Sequence, residues 1–185
     1  MLPRFYTTHP CDSRLDNLTL SMLSSDKKGV KLRAKGAECR NLVPFSLELA
    51  LHHLDVSVPF EAAAKEATIH LAAMYQNLAK EFFNAEHLKN HSRMFALQYV
   101  ALEASTVARD PKSRAWRVKP KLHLVQELAE HACLNPASVW CYRDEDFGGT
   151  LAALARPRGA AASVLTCSAK VLQLFYARQP VPAFA

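Results

Sequence analysis

Three consecutive acidic residues, Asp144, Glu145 and Asp146, stand at the start of an apolar helical segment in the stretch WCYRDEDFGGTLAALARPRG. Carboxylates can bind metal ions for hydrolysis or phosphoryl transfer, but a two-metal site needs several of them to converge from different elements. The sequence offers no second acidic cluster of this kind. Carboxylates in the first turn of a helix also cap free N–H groups and complement the helix dipole. We therefore predict no catalytic residue, with Glu145 a helix cap and a vestigial catalytic candidate.

Two histidine patterns have the spacing of metal ligands. His87 and His91 are four residues apart on a predicted helix and face the same way, a spacing that can hold zinc. No glutamate follows the first histidine, and no third ligand lies nearby in the sequence. His123, Glu127 and His131 also repeat every four residues, beside an apolar stripe, which favours packing at the boundary of the core. We predict no metal site and no cofactor, and His87 and His91 are the residues to consider if a metal is bound.

Basic residues gather in three segments, at 27–40, 112–121 and 156–158. The middle segment overlaps a predicted polar loop over 107–118 and contains a tryptophan. Cations contact phosphates and an aromatic ring stacks on bases, so this segment predicts a nucleic-acid interface, with an ordinary solvated surface as the alternative. The candidate residues are Lys112, Arg114, Trp116, Arg117, Lys119 and Lys121.

Motifs for common catalytic chemistries are missing from the sequence. No serine lies in a Gly-x-Ser-x-Gly pattern, and no glycine-rich phosphate loop is present. The string DFGG resembles a kinase motif, but the glycine loop, paired lysine and catalytic loop of a kinase do not accompany it. The residues therefore favour a chain that is not an enzyme.

The elements that must position these residues are helices. Over PFEAAAKEATIHLAAMYQNLAKEFF, apolar residues recur every three or four positions, which predicts a central helix over 60–82 with Leu71 and Met74 among its most buried residues. Pro44 predicts a break near Val43. Other helices are predicted over 13–25, 85–105, 119–133 and 160–179. Because no region alternates with period two, we predict an all-α fold, a single compact bundle of about six or seven helices.

Composition and length limit the class of protein. The chain has 185 residues, and we predict a poorly defined N-terminal segment (1–25), a helical domain (26–178) and a C-terminal tail (179–185). The net charge of +6 permits an anionic partner. No apolar run approaches the roughly 18 residues of a membrane span, and residues 1–17 lack the apolar core of a secretory signal. The scattered cysteines, with no Cys-x-x-Cys pair, predict neither a disulfide framework nor a zinc ribbon and fit a reducing compartment.

Three blocks, taken in order, resemble the C-terminal helical region of eukaryotic DDE transposases of the CACTA and Plavaka kind. LRAKGAECRNLVPFSLELAL is similar to the family's Lys-Ala-x-Glu-x-Arg helix, and KPKLHLVQELAE to its Lys-x-His helix. VWCYRDEDFGGTLAALARPRG is similar to its aromatic-x-Phe-Glu-x-Phe-Asn-Gly helix start. The resemblance covers about residues 30–160 and implies a helical segment beside an RNase H-like nuclease core.

The resemblance implies roles for a few residues and leaves others unfilled. It places Glu145 on the family's glutamate, Lys121 and His123 on the Lys-x-His pair, and Glu38 and Arg40 on the first block. This chain has Gly148 where the family has asparagine, and alanine replaces the basic residue expected after the second glycine. No strand pattern supplies an RNase H-like core, so Glu145 cannot complete a two-metal site within this chain.

Three functions stay open at this level. The first is a non-catalytic helical domain that binds nucleic acid or protein, in the nucleus if the transposase resemblance holds. The second is an accessory or scaffold subunit of a larger assembly, with an organelle as the alternative compartment within the cell. The third is a metal-dependent hydrolase remnant that uses Glu145 with His123 or His131.

Overall fold

A computed structural model describes residues 1–11, 13–23, 32–79, 81–139, 148, 151–152, 154 and 164–178. The predicted all-α fold is confirmed, because the described residues form helices and contain no strand. Eight α-helices lie in these ranges, six of them with seven or more residues. They are α1 (Leu2–Thr8), α2 (Leu20–Leu23), α3 (Gly36–Asn41), α4 (Val43–His53), α5 (Pro59–Leu78), α6 (Ala85–Arg109), α7 (Pro120–His131) and α8 (Val164–Arg178), with a 3₁₀ helix at Pro136–Val139.

The helix pair α5 and α6 packs most extensively and forms the centre of the first compact unit. Pro59 occupies the first turn of α5, and Asn84 caps α6 by accepting a hydrogen bond from the backbone N–H of His87 at 2.9 Å. Leu102 is completely buried between these helices, beside Ala64 and Ala67. Helix α4 packs on α5, α7 packs on α6, and α3 packs on α4.

The central-helix prediction is confirmed for most of its stripe and wrong at its end. Met74 is buried as predicted, whereas Leu71 is only partly buried and the adjacent Ala72 is buried instead. The helix ends at Leu78, so Phe82 lies beyond it and is 83% exposed. The line of contact with α6 is narrower than the apolar stripe, which leaves residues at the edge of the stripe partly open.

Part of the N-terminal segment forms helix α1 and packs into the core, whereas the predicted boundary at residue 25 lies outside the described residues. Leu2, Phe5 and Tyr6 recur at helical spacing on α1 and are buried, although the sequence pattern predicted a helix over 13–25 and none here. They form one apolar cluster with Leu15 and Phe45, and the Tyr6 hydroxyl accepts a hydrogen bond from Leu15 N at 3.1 Å. The apolar area buried in this cluster is what joins the segment to α4.

Two further predictions concern helix starts and ends. The break expected near Val43 is confirmed, because α3 ends at Asn41 and α4 begins at Val43 with Pro44 in its first turn. Helix α6 continues to Arg109, so the loop predicted over 107–118 spans residues 110–119 instead.

The chain divides into two compact units, residues 1–138 and 139–185, rather than into one helical domain over 26–178. In the second unit the predicted C-terminal helix is present as α8, with Val171 buried. None of the helices in the described ranges is long and apolar enough to cross a membrane. Cys11, Cys39 and Cys133 are free thiols.

Candidate nucleic-acid interface

The loop between α6 and α7, residues 110–119, is held on the helix pair by Trp116. The indole ring lies edge-on to Tyr99 with ring centroids 5.5 Å apart, and it packs against the apolar cluster around Leu102. Burial raises the pKa of Tyr99, and the nearby Glu103 carboxylate raises it further. Trp116 itself is partly buried. The indole ring that the sequence suggested for base stacking packs on Tyr99 and the cluster around Leu102 instead.

Trp116 also has a left-handed backbone conformation, with φ of 57°. A bulky side chain rarely adopts positive φ because its Cβ crowds the backbone, at a cost of about 1–2 kcal/mol. The packing of the indole on Tyr99 offsets that cost. The tight turn at Trp116 lets the residues on either side of it remain at the surface.

Hydrogen bonds fix the backbone on both sides of this anchor. Asp110 Oδ1 accepts a bond from Lys112 N at 3.0 Å, and the Asp110 carbonyl accepts one from Ser113 N at 2.9 Å. Further along, Glu103 Oε1 accepts a bond from Val118 N at 2.9 Å. The loop backbone is thus fixed by Asp110 at its beginning, and the loop is tied to α6 by Trp116 and by the bond from Val118 N to Glu103.

The five cations of the predicted interface all lie at the surface. Lys112, Arg117, Lys119 and Lys121 form no ion pair with any residue that the structure describes. An open pocket of about 380 Å³ is lined by Lys112, Arg114 and Arg117, with Glu103 and Val107 from α6. Glu103 is the one carboxylate among the described residues that line this pocket, and its Oε1 accepts the Val118 N–H. The pocket is therefore predominantly positive.

The start of α7 adds to this positive surface. Lys119 is the N-cap residue and Pro120 the first helical residue, and no described side chain caps the free N–H groups. The first turn contains no acidic residue, although Lys121 lies within it. Lys119 and Lys121 form no ion pair with a described residue, and the N-terminus of a helix favours anions. An external anion at this position would therefore interact favourably with both lysines and with the start of α7.

The other two basic segments lie wholly or partly outside the described residues. Lys27, Lys28, Lys31 and the residues 156–158 lie outside the described residues. Lys35 is the N-cap of α3, and its backbone N–H donates to Glu38 Oε2 at 2.8 Å. The structure therefore describes one of the three basic segments completely, the one over 112–121.

Asp144, Glu145 and Asp146 lie outside the described residues, as do Phe147 and Gly149. The expectation that Glu145 caps a helix stays a prediction.

The histidines fall into two groups with different environments. His87 and His91 lie on α6 with ring centroids 4.2 Å apart, and His91 Nδ1 is 2.9 Å from Nδ1 of His70 on α5. Burial lowers the pKa of His91, and the neighbouring His87 and His70 rings lower it further, which favours the neutral form of this imidazole. No other histidine lies close to His70 in the sequence, so spacing alone could not show that it joins this group.

The second group is solvated rather than packed at the core boundary, which corrects the prediction. His123 and His131 are 74% and 80% exposed, and each Nε2 lies 3.5–3.7 Å from a carboxylate oxygen of Glu127. Helix α7 buries Ala129 on the side away from these histidines, whereas its Leu128 is exposed. Among the described residues, no three His, Cys, Asp or Glu side chains are already arranged to hold a metal ion.

A scan against protein-family models and searches of curated proteins and solved structures found no match to this chain. The resemblance to the transposase region therefore stays a prediction that depends on the three sequence blocks alone.

Proposed function

We propose that this chain is a non-catalytic helical domain that binds nucleic acid through the loop 110–119 and the first turn of α7. The domain resembles the C-terminal part of a CACTA or Plavaka transposase, and it contacts the phosphate backbone rather than base edges. Binding is accordingly weak and largely independent of sequence, with a Kd on the order of 10⁻⁴–10⁻⁶ M at physiological salt.

The observation that carries this proposal is the surface position of five cations, four on one anchored loop and one in the first turn of α7. They are Lys112, Arg114, Arg117 and Lys119 on the loop and Lys121 on the helix. A loop that is already ordered loses little conformational entropy when it binds a ligand. Exposed cations that would pair with phosphates release the counterions of the nucleic acid, and this release supplies most of non-specific affinity.

Trp116 has a positioning role in this proposal. Its ring packs against Tyr99 and the cluster around Leu102, so it is not free to stack on a base without leaving that site. The indole instead fixes the turn between Arg114 and Arg117, and both of these residues line the pocket. Recognition therefore comes from charge and spacing, which fits duplex or single strands equally.

The test is a fluorescence titration of a labelled oligonucleotide at several salt concentrations. The triple variant Arg114→Gln, Arg117→Gln and Lys119→Gln should reduce the slope of log K against log salt by about two to three, since each lost phosphate contact removes roughly one. A matched control carries Arg4→Gln, Arg14→Gln and Lys170→Gln, three exposed positions outside the loop, and loses the same net charge. Its slope should stay within about one of the parent chain.

Two results would contradict the proposal. The first is no binding to the oligonucleotide at low salt by the parent chain. The second is an equal fall in slope for the triple variant and its control, because net charge rather than the loop would then govern binding.

The exposed side of α6 favours a second candidate function, that of an accessory subunit. Met94, Leu97, Ala101 and Ala104 follow one another at helical spacing and are all exposed, with Leu97 63% exposed. Exposed apolar patches mark protein interfaces. In that case Leu97→Glu should abolish a protein complex without changing the salt slope for an oligonucleotide, and complex formation should vary little with salt.

A further inference from the structure

Three imidazole rings meet between α5 and α6, away from the basic loop. His70 comes from α5, and His87 and His91 come from successive turns of α6. The Nδ1 atoms of His70 and His91 are 2.9 Å apart, and the ring centroids of His87 and His91 are 4.2 Å apart. The His70 side chain is only 14% exposed, and His87 and His91 are half-buried.

The facing nitrogens of His70 and His91 have the separation of a two-ligand site. A neutral imidazole has one nitrogen with a free lone pair, which is the atom that binds a metal ion. Zinc binds histidine nitrogen at 2.0–2.1 Å, so two ligand nitrogens of a tetrahedral site lie about 3.3 Å apart. The separation of the two Nδ1 atoms therefore has to grow by only a few tenths of an ångström. On binding, the hydrogen bond between them is lost, the proton on one Nδ1 moves through solvent to the Nε2 atom of the same ring, and both rings turn so that their Nδ1 lone pairs meet at the ion.

His87 offers a third nitrogen at little energetic cost. Its Nδ1 atom is buried and has no hydrogen-bond partner among the described residues. A buried polar atom without a partner destabilises the fold, so rotating this ring toward an ion breaks no hydrogen bond at that nitrogen. Rotation is required, because these side chains do not yet form a ready set of three ligands.

The far side of His70 has a partner that suits ligation. Its Nε2 atom lies 3.7 Å from Glu66 Oε2, one helical turn earlier on α5. Metal-binding histidines usually direct their second nitrogen toward a carboxylate, which fixes the tautomer and makes the other nitrogen a better ligand. Glu66 would thus favour the proton on Nε2 and leave Nδ1 of His70 available.

We propose that His70 and His91 bind a divalent ion of the zinc class through their Nδ1 atoms, with His87 as the third ligand after rotation. A water molecule supplies the fourth ligand, and the ion joins α5 to α6. Imidazole nitrogens select zinc, copper, nickel or cobalt over magnesium and calcium, which prefer oxygen ligands. This site is independent of nucleic-acid binding by the loop 110–119.

The experiment uses the full chain after treatment with a chelator and titrates cobalt(II), followed by visible absorption. Cobalt stands in for zinc because it prefers similar ligands and is coloured, and added zinc should displace it. The expected result is saturation near one ion per chain. His70→Gln and His91→Gln should each weaken binding by about tenfold or more, and Glu66→Gln by less. The matched controls His123→Gln and His131→Gln change exposed histidines of the same protein and should leave binding unchanged.

No saturation, or equal weakening by the control variants, would overturn the site. If the His70 or His91 variant does not fold, ¹⁵N NMR of the parent chain decides the question, because zinc must shift the Nδ1 signals of His70 and His91. A zinc-induced shift confined to His123 and His131 would overturn the proposal.

Discussion

The connection from α5 to α6 and the connection from α6 to α7 differ in how the polar groups at the helix ends find partners. In the first, the Asn77 amide is 1% exposed, donates to the Asn84 carbonyl at 2.8 Å and accepts from Asn84 N at 3.2 Å. The Asn84 side chain then caps α6. In the second, α7 starts at Lys119 with no side-chain cap among the described residues, and the preceding cations lie at the surface.

The difference separates structural polar groups from available ones. Neutral amides among the described residues of the first connection satisfy backbone groups at Asn84 and His87. The second connection is fixed by one aromatic ring and a few hydrogen bonds, while its cations and the start of α7 stay open to solvent. A loop whose backbone is ordered and whose lysine and arginine side chains are exposed to solvent is suited to binding a polyanion.

The largest effect that would sharpen this comparison is expected at Asn77. Asn77→Ala removes both hydrogen bonds to Asn84. The Asn84 carbonyl keeps its bond from Leu88 N, whereas the Asn84 N–H loses its partner, at about 1–3 kcal/mol. We expect the free energy of unfolding to fall by about 1–3 kcal/mol in a urea titration. Gln76→Ala, at the exposed neighbouring position, should change it by less than about 0.5 kcal/mol. Equal effects at both positions would remove the contrast between the two connections.

The next effect concerns Trp116 and its left-handed backbone. Trp116→Ala and Trp116→Gly both lose the packing on Tyr99, but glycine adopts φ of 57° without strain. Trp116→Gly should therefore be the more stable of the two by about 1 kcal/mol in thermal or urea unfolding. The reverse order is expected at Arg117, which has no positive φ. If alanine is the better replacement at Trp116, the backbone there is not strained.

A smaller effect with two opposite signs is expected at Lys119. Lys119→Asp gives α7 the kind of cap that Asn84 gives α6, and should stabilise the fold by about 0.5–1 kcal/mol. The same change should lower the salt slope of oligonucleotide binding by about one, because a phosphate contact is lost. Asn84→Ala should instead cost about 1 kcal/mol and leave binding unchanged. A Lys119→Asp variant that binds as well as the parent would show that α7 does not contact the ligand.

The smallest effect is a pH dependence at Glu130, where α7 meets α6. Lys89 Nζ lies 2.9 Å from Glu130 Oε2 and Arg93 Nε lies 2.6 Å from Oε1, and these hydrogen bonds lower the pKa of Glu130. A carboxyl whose pKa is lowered on folding adds stability above its unfolded pKa of about 4.3, and this is lost as the pH falls through the folded value. Glu130→Gln should therefore weaken the dependence of the urea midpoint on pH below about 4.5. Because these side chains are partly exposed, the difference should also shrink at high salt.

Periodicity predicted the parts of this fold that depend on local sequence. The buried Met74 followed from spacing along one helix, and the break before α4 followed from Pro44. The burial of Phe5 was missed because α1 is short and gains its stability from Phe45, which lies forty residues further along the chain.

The candidate site was predicted in its charges and not in its geometry. The cluster of lysines and arginines over 112–121 is visible in the sequence, and the structure places those side chains at the surface. Two features could not be predicted, because both depend on contacts between elements. They are the packing of Trp116 on Tyr99 and the approach of His70 to His91 across two helices.

The Asn77–Asn84 contact also has a consequence for the order of folding. It joins residues only seven apart, so it closes a short loop and brings α5 alongside α6 while the rest of the chain is still open. Short loops close in roughly 10–100 ns, and contacts that are local in sequence favour rapid folding. Residues 59–109 can therefore act as the nucleus, whereas the cluster around Phe5 must wait for a longer loop to close.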